Sequence, residues 1–437
     1  MARPKRSKTR DGDEPSAAGA DAQRDRRLRT PPPLTEGNEP FEGGEILDEL
    51  EGELGGLLWN SLRSVTLWAR ADPSRRDGMA APEAAGRRLA ELEEIGVPEA
   101  LAGPLATLTR VLSEPGTVES SQVAAACRGV AEWANQSGKL GTALAFLQAA
   151  ALGRPEDAGL SYAVGRMARR HGEPTRAESW LQYAIAHARR NEDWITYTMA
   201  YAGLGNLYGE RGNFPMARRA LATAVRTARR RRLGELEAMA SHDLFAMAAE
   251  AGRVREAEKL AASVAELYGA GHPRLPHLAH DLAYLWVERG DLGNALPVLL
   301  SLRPHIHGHP DRMLLVSSVA RAAGGLREAA EFEEAWGEGM RLVEAAGPRE
   351  GVSASLLNLA RGAEGVGNVE RAKGAARRAL ETATKMREGK QRLAAEALLE
   401  RLDREPAAAP SLPAPRPGTE RLVEQLVSYL APAAVPS

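Results

Sequence analysis

Tyr201-Ala202-Gly203-Leu204-Gly205-Asn206-Leu207-Tyr208-Gly209-Glu210-Arg211-Gly212-Asn213-Phe214-Pro215-Met216-Ala217 is the stretch from which the fold is legible. Leu204, Leu207 and Tyr208 keep helical spacing up to the Gly212-Asn213 break, and a second helix opens around Pro215. Gly212 supplies the positive φ that ends one helix and lets the chain reverse. Pro215 sits in a first helical turn, where a missing N–H costs little. Ala217, five residues after the glycine, falls where the two helices of a hairpin cross and only a small side chain permits close approach.

The same spacing recurs as Gly138…Ala143, Gly172…Ala177, Gly212…Ala217, Gly252…Ala257, Gly290…Ala295, Gly324…Ala329 and Gly367…Ala372, at intervals of 34, 40, 40, 38, 34 and 43 residues. Eight residues ahead of each glycine stands an apolar residue: Val130, Val164, Leu204, Leu244, Leu282, Val316 and Leu359. Self-similarity at this period predicts stacked helical pairs.

The pattern resembles the tetratricopeptide repeat, with its Leu-Gly in the first helix and Gly-Asn-Phe followed by Ala at the turn. The resemblance covers residues 124–386, about seven repeats, with the best copies in 158–300. It implies an all-α fold, a right-handed superhelical solenoid of antiparallel helix pairs. It also implies a concave face lined by first helices, onto which the family's groove positions select Tyr162, Arg166, Arg169, Arg170, Asn206, Glu210, His242, His277, His280 and Tyr284. Asn206 follows Gly205, where carboxylate-clamping members place asparagine, but the accompanying lysines of the neighbouring repeats are absent.

Outside the repeats the composition changes. Residues 1–44 carry charge, Pro, Gly and Ser with little to bury and are expected to be a disordered tail. Within it 1–30 holds nine Lys/Arg and five Asp/Glu, whereas 31–60 holds eight acidic residues and no basic one. Residues 45–112 read as an N-terminal helical region: one amphipathic helix from Ile46 to about Ala71, then Pro82–Glu94 and Pro98–Leu112. Residues 387–404 read as a capping helix with Leu393, Ala397, Leu398 and Leu402 on one face. A Pro/Ala linker (405–418) and a short amphipathic helix (419–431) follow, the latter starting at Thr419 as N-cap and suited to docking in cis or in trans.

Composition narrows the function. With 57 Lys+Arg against 58 Asp+Glu the net charge is −1, which gives no overall pull toward nucleic acid. The Arg229–Arg232 run is expected to complement a helix dipole rather than contact phosphate. One cysteine, Cys127, excludes a disulfide framework, and its apolar neighbours predict a buried side chain. His305, His307 and His309 alternate in a Gly/Pro-punctuated segment without the partners of a metal site. No phosphate-binding loop or nucleophile elbow is present, so neither catalytic residue, cofactor nor metal is expected. No apolar run approaches a membrane span and no export signal is readable, which predicts a cytoplasmic protein. The expected function is a non-enzymatic scaffold that binds a peptide or helical segment of a partner protein, with self-docking of the C-terminal helix or homo-oligomerisation as further options. The alternative is a peptide- or protein-sensing regulator.

Overall fold

A computed structural model of the chain describes residues 32, 43–404 and 418–431. The charged tail and the Pro/Ala linker expected from the sequence fall, but for residues 32, 43, 44 and 418, outside the described residues. Among these there are twenty α-helices, one 3-10 turn and no strand. The chain divides into two compact units, 1–236 and 237–437. The first contains α1 (Gly44–Glu49), α2 (Gly52–Arg70), α3 (Pro82–Ile95), α4 (Glu99–Ser113), α5 (Ser120–Gln136), α6 (Leu140–Gly153), α7 (Ala158–Arg170), α8 (Pro174–Arg190), α9 (Trp194–Glu210) and α10 (Phe214–Arg231). The second begins in the first turn of α11 (Gly234–Glu250) and continues through α12 (Val254–Tyr268), α13 (Leu275–Glu288), α14 (Leu292–Leu302), α15 (His309–Leu326), α16 (Ala329–Ala346), α17 (Val352–Gly365), α18 (Val369–Lys385), α19 (Gly389–Arg404) and α20 (Glu420–Leu430).

From α5 to α18 the helices form seven tetratricopeptide-like hairpins. Six close on a glycine with φ between 71° and 85°: Gly138, Gly172, Gly212, Gly252, Gly290 and Gly367. Asn213 and Asn368 cap the helices that follow, accepting from Met216 N at 3.3 Å and Arg371 N at 3.1 Å. The alanines five residues beyond the six glycines are fully buried. In the second and third hairpins a further glycine admits the partner helix: a Cβ on Gly165 would stand 2.7 Å from Leu181 Cγ, and one on Gly205 2.4 Å from Leu221 Cγ.

The sixth hairpin corrects the sequence reading. Its turn residue is Arg327, at φ 61°, not Gly324, which lies inside α15. Five residues on, Phe332 is buried to 1% exposure, whereas Ala329 is exposed. A left-handed arginine costs about 1 kcal/mol, and a phenylalanine at a helix crossing needs room. Glycines on α15 and α17 make that room. A Cβ on Gly324 would lie 2.2 Å from the carbonyl oxygen of Gly362, one on Gly362 2.4 Å from that of Ala320, and one on Gly365 2.5 Å from that of Gly324. The two first helices therefore touch backbone to backbone. With Arg327 as the turn, the last intervals become 37 and 40 residues instead of 34 and 43.

The helix read from Ile46 to Ala71 is two. Leu50 is extended and Gly52 adopts φ 75°, so the chain bends between α1 and α2. The bend aims Glu49 at the start of α6, where its carboxylate accepts from Gly141 N and Thr142 N at 2.8 Å each and from Thr142 Oγ1 at 2.7 Å. It serves as an N-cap supplied from a distant segment, satisfying donors that Lys139 cannot. In the same unit Trp68 is fully buried, donates to the Pro115 carbonyl at 2.7 Å and is covered by Arg76 at 3.9 Å. Cys127 is buried, as expected, and burial pushes its thiol up to about 12.

At the other end, α19 buries Ala395, Leu398 and Leu402, while Leu393 is 60% exposed and Ala397 is exposed too. The buried stripe is rotated from the expected one, and α19, at the end of its array, packs chiefly on α17 and α18. α20 lies against α13 and α14. It buries Leu422, Leu426 and Leu430. The Thr419 side chain does not cap its own helix; Thr419 Oγ1 instead accepts from Asn294 Nδ2 at 2.6 Å. His305 Nε2 lies 2.8 Å from the Leu430 carbonyl oxygen. α14 needs this cover because its sequence, LGNALPVLLSL, is apolar nearly all round.

Candidate partner-binding face

Counting six residues back from each observed turn residue selects one equivalent position on every first helix. These are Glu132, Arg166 and Asn206 in the first unit, and Ala246, Tyr284, Arg321 and Arg361 in the second. Three of the ten residues expected from the sequence, Arg166, Asn206 and Tyr284, fall in this column.

In the first unit Arg166 is exposed and has no hydrogen-bond or ion-pair partner among the described residues. The cations flanking it are engaged. Arg169 Nη1 meets Glu210 Oε1 at 3.0 Å, tying α7 to α9, and Arg170 Nη1 donates to Asn135 Oδ1 at 2.9 Å on α5. Tyr162 lies toward α9, its ring 3.8 Å from where a Gly203 Cβ would stand. At the end of α10, Arg231 sits 3.9 Å over the Trp194 ring.

In the second unit His242 and His280 converge on one carboxylate the sequence reading did not select. Asp281 Oδ2 lies 3.5 Å from His242 Nε2, and Asp281 Oδ1 lies 3.6 Å from His280 Nδ1. His242 Nδ1 is 3.2 Å from the Tyr268 hydroxyl. His277 is exposed and joins none of these contacts. Burial opposes ionisation of Asp281, but the two imidazoles, as donors and as charges, outweigh it and take the carboxyl down to about 2. A carboxyl held below its unfolded value of about 3.9 adds stability above that pH and loses it on acidification toward 2. Asp281→Asn is therefore expected to flatten the fall in melting temperature between about pH 4 and 2, followed by circular dichroism. A variant that tracks the unmutated chain across this window would show that the three side chains are not coupled.

Two turns further along α13 is a second polar cluster. Glu288 Oε1 pairs with Arg321 Nη1 and lies 3.8 Å from Arg361 Nη1. Arg321 Nη1 also donates to Asn358 Oδ1 at 3.0 Å, and Asn358 Nδ2 approaches Ser318 Oγ at 3.5 Å. Burial, and next the Glu288 charge, raise the Tyr284 hydroxyl above its ordinary value. On α19, Arg401 Nη2 meets Glu364 Oε2 at 2.8 Å. The groove positions implied by the resemblance stop at the fifth repeat, which leaves out Arg321, Asn358 and Arg361. Arg321 is hidden further because the sixth turn is Arg327 rather than Gly324, whereas Arg361 lies six residues before the legible Gly367. The signal that could have found the two arginines is their separation of 40 residues, which equals the interval from Gly172 to Gly212 and from Gly212 to Gly252.

Among the described residues one group of metal-type ligands lies close together: Glu45, His171 and Glu173. Both oxygens of Glu173 are engaged, Oε1 at 2.7 Å from His171 Nδ1 and Oε2 at 2.7 Å from Arg176 Nε. The guanidinium thus already supplies the positive charge a metal would bring. No helix of the described residues is long and apolar enough to cross a membrane.

No protein-family model matches the chain, and no curated protein matches it in sequence. Among solved structures it is similar to the apo form of the quorum sensor NprR from B. thuringiensis, at 14% identity and TM-score 0.48, over 76% of this chain and 98% of that one. It is similar to the apo form of RapI at 11% identity and TM-score 0.48, over 76% and 99%. A signal transduction ATPase with a tetratricopeptide repeat sensor from Pyrococcus horikoshii aligns at 12% identity and TM-score 0.49, over 84% of this chain and 56% of that one.

Proposed function

We propose that the chain is a non-enzymatic interaction scaffold whose first helices hold an extended peptide or a helical segment of a partner protein. The observation that carries this reading is the polar position repeated on the first helices, at which, in the first unit, one cation stands exposed without a partner among the described residues while its neighbours are tied down. Arg166 on α7 is that cation. Apolar residues build the hairpin crossings, so polar side chains repeated at one register position serve recognition rather than packing. In the first unit the column carries both signs, Glu132 and Arg166, which suits a partner segment of mixed charge.

The test is position-specific photo-crosslinking in the full-length protein. A benzophenone residue at Arg166 in the first unit, or at Tyr284 in the second, is expected to capture partner peptides, while one at Lys259 or Arg378, on second helices, captures none. Equal capture from second-helix positions, or none from Arg166 and Tyr284, would count decisively against the reading. A regulatory version is favoured by one feature. α20, which follows a connection of over a dozen residues, is held on α14 by a leucine stripe with a polar contact near each end, an arrangement that a partner could release.

A further inference from the structure

Arg321 and Arg361 occupy equivalent positions on α15 and α17, and Arg401 lies another 40 residues on, on α19. The glycine contacts that press α15 against α17 bring two of these guanidinium groups to one oxygen, Glu288 Oε1. Crowding like charges is unfavourable, and the consequence shows at Arg361. Burial first, then the Arg321 charge, push its pKa below the ordinary arginine value. Arg361 makes no hydrogen bond to any described residue, its approach to Glu288 being 3.8 Å, and its side chain is 32% exposed. Five N–H donors in a fixed planar fork are thus open to solvent beside a second cation. Among the described residues three arginines face two carboxylates, Glu288 and Glu364, which leaves an excess of one positive charge.

Building on the proposed partner-binding face, we infer that this cluster takes a carboxylate side chain from an acidic segment of the partner, with Arg361 as the two-pronged donor and Arg321 as the flanking charge. A planar carboxylate matches the guanidinium fork. Its single negative charge balances the local excess, whereas a doubly charged phosphate would face Glu288 at close range. Asn358, already accepting from Arg321, holds that guanidinium in place.

The test uses the full-length protein and fluorescein-labelled hexaglutamate, read by anisotropy, with hexalysine as control. Hexaglutamate is expected to bind and to weaken with added salt. Arg361→Ala is expected to weaken it about tenfold or more, the loss of a charge-assisted hydrogen-bond pair. Arg361→Lys, which keeps the charge without the fork, should fall between, and Lys259→Ala, at an exposed position on the second helix α12, should leave binding unchanged. Thermal melts of each variant establish that it is folded. Absence of hexaglutamate binding, or equal binding by the Arg361 variants, overturns the inference. So does tighter binding of a phosphoserine peptide or duplex DNA through Arg361. If crosslinking still maps partner peptides to first helices while hexaglutamate binding fails, only this inference falls. If crosslinking fails, the wider reading falls irrespective of hexaglutamate.

Discussion

Gly362→Ala is expected to destabilise residues 237–437 by about 3 kcal/mol, the upper part of the range for overpacking. In a helix interior the same exchange ordinarily gains close to 1 kcal/mol, so the sign of the effect discriminates. The added methyl would stand 2.4 Å from the Ala320 carbonyl oxygen and 3.1 Å from the Phe332 ring. A backbone oxygen cannot rotate aside as a side chain does, so α15 and α17 must separate, and the fit around Phe332 is lost with them. Gly374→Ala on α18 is the control: it is exposed with nothing within 4 Å of the new Cβ. It is expected to stabilise by about 0.5–1 kcal/mol. Denaturant melts of the two variants decide the matter, and a neutral or stabilising Gly362→Ala would show that the helices are not in backbone contact.

The second large effect concerns α20. Leu426 is fully buried against the array. Replacing it with aspartate removes roughly 2 kcal/mol of apolar burial and adds the desolvation of a carboxylate with no partner. An eleven-residue helix is marginal without tertiary contacts, so Leu426→Asp is expected to free α20 rather than unfold the unit. Hydrogen exchange should then show residues 420–430 unprotected while α15 and α17 keep their protection. Leu426→Ala should give a partial effect. Unchanged protection over 420–430 would overturn the account of how α20 is held.

The hairpins were legible in the sequence because their determinants are local. A glycine at a left-handed turn, an asparagine cap and an alanine at the crossing act within six residues of one another, so spacing alone reveals them. Where those determinants were replaced, spacing misled. The sixth turn uses Arg327, and its crossing residue is Phe332. The phenylalanine has room because Gly362, 30 residues away on α17, has no side chain beside its ring.

For the candidate face, the residues next to well-formed turns, Arg166, Asn206 and Tyr284, followed from the sequence. Arg321 did not, since its column position depends on the true sixth turn, and Arg361, six residues before the legible Gly367, is marked out only by the second cation that packing brings beside it. Asp281 was also hidden: no pattern in α13 announces that it will stand between imidazoles from two helices.

By itself, then, the sequence determined the helices, their pairing and most turn positions, because backbone propensity and capping are properties of neighbouring residues. Tertiary packing alone decided which cations lie free, how close Arg321 and Arg361 come, where Glu49 caps and what covers α14. Those outcomes depend on volumes and charges that meet only after residues far apart in the chain are folded together.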